Sequence, residues 1–134
     1  MAETYVPKIL VVDDEKVIRD ITQTFLTING YDVNTAENGK EAFEKLLSSH
    51  YDVVITDLQM PLMGGIELLE RISQIQTDTV TILLTGSTVS KSECSQKPFA
   101  HLCKPFSHNQ LIQVIQEGLK HHSALAPQLN HEAH

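Results

Sequence analysis

Short apolar runs rich in β-branched residues alternate with amphipathic stripes along nearly the whole chain, and few folds accept that alternation. Lys8-Ile-Leu-Val-Val12 reads as a buried strand. Val17, Ile21, Phe25 and Ile28 follow at helical spacing, and Asn29-Gly30 ends that helix. Tyr31 to Ala36 is a weaker strand. Asn38, with Glu41 three residues on, fits a helix cap, and Ala42, Phe43, Leu46 and Leu47 form the stripe behind it. Val53-Val-Ile55 is a third strand, ending at Thr56-Asp57. Pro and Gly mark Met60 to Gly65 as a loop. Ile66, Leu69, Ile72 and Ile75 make a third helix, and Val80 to Leu84 a fourth strand closed by Thr85-Gly86. Ala100 to Cys103 is a short fifth strand. Ser107 caps a last helix with the stripe Leu111, Val114, Ile115 and Leu119. Strands alternating with helices imply a parallel sheet covered on both faces.

The chain has 134 residues, enough for one domain with its own core. We divide it into an N-terminal extension (1–7), a folded domain (8–120) and a polar tail (121–134) read as flexible. Net charge is −7, which argues against direct nucleic-acid binding through phosphate neutralisation. No apolar run approaches a membrane span, and the start lacks the pattern of a signal peptide. Cys94 and Cys103 make no disulfide framework, so a reducing cytoplasm is the expected location. Cys94 reads as a loop thiol and Cys103 as a core residue. The His-containing tail, including His121, His122, His131 and His134, shows no ligand spacing on a clear helix.

In parallel sheets of this kind, ligands bind beyond the carboxyl ends of the strands. The residues there are Asp13 and Asp14 after strand one, Asp57 after strand three, Thr85 after strand four and Lys104 after strand five. Each has an ordinary explanation alone: an Asp pair caps a helix, and Lys104-Pro105 makes a surface loop. Their conjunction points to a shared cleft. Two carboxylates about 4 Å apart repel by roughly 4 kcal/mol at an effective dielectric of 20, so three together call for a cation. Oxygen ligands favour a hard ion, and Mg²⁺ takes one or two carboxylates plus phosphate oxygens. A carboxylate is also a possible nucleophile toward phosphorus.

Val11-Val-Asp-Asp-Glu15, Asp57 with Met60-Pro-Leu-Met-Gly-Gly65, Leu84-Thr-Gly86 and Lys104-Pro-Phe106 together resemble the receiver domain of two-component response regulators. The resemblance runs from about Lys8 to Leu119 and implies a flavodoxin-like (βα)5 fold with sheet order 2-1-3-4-5. It implies Asp57 as phosphoacceptor from a histidine kinase or histidine phosphotransfer protein. Mg²⁺ would sit on Asp14, Asp57 and the Gln59 main-chain carbonyl, with Asp13 acting mostly through water. Lys104 would pair with the phosphoryl group, Pro105 would follow a cis bond, and Thr85 would bind a phosphoryl oxygen as a switch. Gly86 and Gln59 would influence the hydrolysis rate. The chain is thus expected to be a phosphoacceptor with Mg²⁺-dependent self-phosphorylation and autodephosphorylation, rather than a conventional enzyme, passing its signal to an output protein.

The pattern departs from the family in two places. His101 occupies the switch position usually held by an aromatic residue, and it is either a modified switch or an ordinary strand residue. The stretch from Gly86 to Phe99 is shorter than usual and poor in helix formers, so the fourth helix is expected to be absent or reduced. That would uncover sheet surface near Leu83 and Leu102 and invite a partner or a homodimer. Lys97-Pro-Phe99 nearly repeats Lys104-Pro-Phe106, which makes Lys97 the alternative to Lys104.

Three other readings compete. A dehalogenase-type phosphatase would need a second Asp two residues after its nucleophile, where this chain has Gln59. A phosphorylation-independent binding module would have no need of the full Asp13, Asp14, Asp57, Thr85 and Lys104 set. The receiver portion of a longer regulator fits the same residues.

Overall fold

The computed structural model describes residues 5–75, 78–85, 100–103 and 106–132. Among the described residues nine elements follow in order: β1 (Lys8–Val12), α1 (Lys16–Ile28), β2 (Asp32–Ala36), α2 (Gly39–Ser48), β3 (Val53–Asp57), α3 (Gly65–Ile75), β4 (Val80–Thr85), β5 (Ala100–Cys103) and α4 (His108–Glu132). All strand pairings are parallel, and the sheet order is β2-β1-β3-β4-β5, as the resemblance implies. Residues 1–4, Lys104, Pro105 and the whole stretch 86–99, with Cys94, Lys97 and the expected loss of a helix, lie outside the described residues.

Side chains on a strand point alternately to opposite faces, and the core divides accordingly. Ile9, Val11, Val53 and Ile55 join Ile82, Leu84 and Leu102 on one face, under Leu26 of α1 and Leu111 and Ile115 of α4. Leu10, Val12 and Val54 pack on the other face against Ala42 and Leu46 of α2 and Leu68 and Ile72 of α3. Each fully buried Leu or Ile contributes about 1.5–3 kcal/mol. Continuous apolar strands are what a sheet with two covered faces requires.

The helix caps form as the sequence predicts. Asn38 Oδ1 accepts from the Glu41 amide at 2.8 Å, and Glu41 Oε1 accepts from the Glu37 amide at 2.9 Å. Ser107 Oγ accepts from the Gln110 amide at 3.1 Å, and Gln110 Oε1 accepts from the Ser107 amide at 2.8 Å.

Several packing expectations are corrected. In α1, Thr22 and Leu26 face the core, while Val17, Ile21 and Ile28 are exposed. The inward face also carries Gln23, whose side chain donates to the Val33 carbonyl at 3.2 Å. Leu47 is exposed, leaving Ala42 and Leu46 as the buried positions of α2 with Gly39. Cys103 is exposed because, in the edge strand β5, Leu102 takes the covered face and its neighbour points away. Leu83 and Leu102 are both buried. The backbone of α4 continues to Glu132, across the segment expected to be a loose tail.

Candidate functional site

Strand order reverses between β1 and β3, and a crevice opens at their carboxyl ends. Val12 is the register partner of Thr56, so Asp13 and Asp57 leave adjacent strands at the same level. The Asp13 amide donates to the Ala36 carbonyl at 3.1 Å, carrying the β1–β2 ladder one residue beyond the strand. Asp13 Oδ1 accepts from the Glu15 amide at 2.9 Å, which turns the chain into α1 and leads it past Asp14. The α1 N-cap is Glu15 and makes no side-chain cap, so the acidic pair serves the turn ahead of the helix and not its capping.

Asp13 is buried, Asp14 exposed and Asp57 half-buried, and one carboxylate oxygen from each lies within 4.8 Å of the others. Mg²⁺ bonds oxygen at about 2.0–2.1 Å, so a small closure brings such a set around one ion. The donors are all anionic oxygens, which suits a hard cation and not a thiophilic one.

On the next strand, Asp57 is the register partner of Leu84. Thr85 therefore stands one residue further toward the same edge, and it is buried. Its own partner is Cys103 at the end of β5, and His101 lies half-buried opposite Leu83. The structure thus gathers Asp13, Asp14 and Asp57, with Thr85 on the neighbouring strand. Gln59 is exposed on the loop after Asp57.

Sequence reading missed Arg19. Its guanidinium donates from Nη1 to the Asp13 main-chain carbonyl at 2.8 Å and ties α1 to the acidic turn. The available signal was its spacing, since Arg19, Thr22 and Leu26 recur at three and four residues along one helix face.

Comparison with known proteins gives the same assignment. The family model described as "Response regulator receiver domain" matches residues 9–116. The chain belongs to the receiver domain family of two-component response regulators. It is 38% identical over 107 residues to the response regulator SaeR of Staphylococcus epidermidis, a match covering 78% of this chain and 46% of that protein. It is 32% identical over 122 residues to the regulatory protein AtoC of Escherichia coli, covering 87% of this chain and 26% of AtoC. The chain therefore spans about half or less of the curated relatives it matches. Among solved structures, the response regulator TrrA of Thermotoga maritima, in complex with Mg²⁺–BeF, superposes with a TM-score of 0.74 at 35% identity, covering 85% of this chain and all of that one. A receiver domain from Clostridium thermocellum superposes with a TM-score of 0.80 at 30% identity, covering 90% and 99%. No helix among the described residues of this receiver is long and apolar enough to cross a membrane.

Proposed function

We propose that this receiver is a Mg²⁺-dependent phosphoacceptor, acting in the cytoplasm, in which phosphorylation of Asp57 controls binding to an output protein. The convergence of the Asp13, Asp14 and Asp57 carboxylates beside Thr85 carries this reading. The Mg²⁺–BeF complex of TrrA supports it from a related protein.

Asp14, Asp57 and the Gln59 carbonyl would hold Mg²⁺, with Asp13 behind them. The bound ion supplies neutralisation of the phosphoryl oxygens. A carboxylate oxygen of Asp57 attacks phosphorus. The bond from phosphorus to the donor nitrogen of a phosphohistidine, or to the donor oxygen of acetyl phosphate, breaks, and its electron pair leaves with the donor. The Thr85 hydroxyl donates to a phosphoryl oxygen, and Lys104 offers an ammonium. Val17, Ile18 and Ile21 follow the acidic pair on α1 and present an apolar surface to a phosphodonor protein, a histidine kinase or a histidine phosphotransfer protein.

Intact-mass spectrometry after incubation with acetyl phosphate and Mg²⁺ tests the reading. A single phosphoryl adduct is expected, absent with EDTA and absent in Asp57→Asn. An adduct that persists in Asp57→Asn would overturn the site. Failure of both acetyl phosphate and beryllofluoride to bind would favour a phosphorylation-independent binding module.

A further inference from the structure

The loop from Asp57 to Gly65 carries both the phosphoacceptor and Gln59, and backbone hydrogen bonds tie it to β4 and across itself. The Leu58 amide donates to the Leu84 carbonyl at 3.1 Å, and the Gly65 amide donates to the Leu58 carbonyl at 2.8 Å. Between them, the Met63 amide donates to the Pro61 carbonyl at 2.8 Å, with Leu62 at φ 72° in the middle. A three-residue turn with positive φ is a rare and strained form, so its surroundings must hold it.

Met63, at the centre of the loop, is buried with Leu10 and Ala42, and its carbonyl accepts a backbone hydrogen bond from outside the loop. The Gly39 amide, first in α2, donates to the Met63 carbonyl at 3.1 Å. A β-carbon on Gly39 would lie 2.3 Å from the Met63 carbonyl oxygen, 2.7 Å from Met63 Cβ and 2.9 Å from its carbonyl carbon. Two of those three atoms are backbone, so relief requires the loop itself to move. The end of α2 is poorly placed to yield instead, because the Asn38 and Glu41 caps fix it and Ala42 is fully buried.

We infer that Gly39 is a positioning residue for the phosphoacceptor loop, its bare Cα and amide clamping Met63 so that the Gln59 carbonyl and the Asp57 carboxylate face the cation together. The inference rests on the phosphoacceptor reading and adds a residue that lies outside the acidic set. Groups that orient metal ligands commonly affect affinity by about tenfold to a hundredfold.

The test is Mg²⁺ affinity by calorimetry on the full chain, compared among wild type, Gly39→Ala and Leu46→Ala, well below the melting temperature of each. Helix propensity alone would make Ala at position 39 neutral or favourable. Gly39→Ala is expected to bind Mg²⁺ at least about tenfold more weakly. Leu46→Ala, which removes core from the same helix two turns beyond Gly39 and leaves the Gly39–Met63 hydrogen bond in place, is expected to keep the wild-type affinity. Unchanged affinity in Gly39→Ala, or an equal loss in Leu46→Ala, would overturn the clamp. If Gly39→Ala does not fold, wild-type amide exchange gives the same answer. Coupling is reciprocal, so Mg²⁺ must slow exchange at Gly39 more than at Ser49, whose amide bonds to Lys45 at the far end of α2. Equal slowing, or none, refutes it. Wild type that binds no Mg²⁺ at all would bring down the phosphoacceptor reading itself, an outcome distinct from these.

Discussion

Phe25 of α1 and His108 of α4 stack with ring centroids 4.1 Å apart and planes 27° from parallel. The stack joins two helices that cover one face of the sheet, whose Leu26, Leu111 and Ile115 belong to the same buried cluster. Aromatic pairs of this geometry are worth about 0.5–1.5 kcal/mol beyond their area. His108→Ala is expected to lower unfolding free energy by about that amount in urea titration. His108→Phe is expected to retain most of it, and equal losses in both variants would show that the ring contact contributes nothing.

The reversed orientation of α1 gives a sharp contrast between neighbours. Leu26 is fully buried and Val17 is 68% exposed. Leu26→Ala is expected to cost about 3–5 kcal/mol, because it removes apolar contact and leaves a cavity. Val17→Ala is expected to stay within about 0.5 kcal/mol of wild type. Denaturation midpoints compare them directly, and similar losses would mean that α1 turns its other stripe to the sheet.

Tyr5 donates its hydroxyl to Asp52 Oδ2, which also accepts from the Lys8 amide at 2.8 Å. This hydrogen bond to Asp52, then burial, then the charges of Asp52 and Asp78, push the Tyr5 pKa from 10.0 up to about 12. The folded-state value lies above the unfolded one, so the contribution is present below about pH 10 and is lost as pH rises through about 12. Tyr5 is largely exposed, so the effect on stability is small. NMR titration of the Tyr5 ring should move toward 10 in Asp52→Asn. An unmoved titration curve would mean that Asp52 is not the cause.

Leu62 holds positive φ at 72° while its side chain is 77% exposed. A leucine at the centre of this three-residue turn bears strain of about 1–3 kcal/mol with little burial in return. Leu62→Gly is expected to raise stability by about 1 kcal/mol, since glycine adopts positive φ without a side-chain clash. A melting temperature equal to or below wild type would contradict this account of the turn.

The acidic set was legible in the sequence because each member follows directly on a short apolar strand. Alternating strands and helices force those ends to one edge, so Asp13, Asp14, Asp57 and Thr85 could be named before any coordinates. Gly39 and Arg19 were not legible as parts of the site. Their importance lies in contacts with main-chain atoms of Met63 and Asp13, and backbone atoms leave no mark on residue type.

By itself the sequence determined the order of elements, two of the helix caps and the pairing of acidic and hydroxyl residues at the strand ends. These follow from local periodicity, capping chemistry and chain connectivity. Only the tertiary structure decided which stripe of α1 faces the sheet. Periodicity marks Val17, Ile21, Phe25 and Ile28 as a helical stripe, and Phe25 does pack against the core, yet Arg19 and Gln23 donate to the carbonyls of Asp13 and Val33 from the side opposite Val17, Ile21 and Ile28. With those hydrogen bonds made and Leu26 in the core, the helix cannot also bury Val17, Ile21 and Ile28, because side chains on opposite sides of one helix cannot meet the same surface.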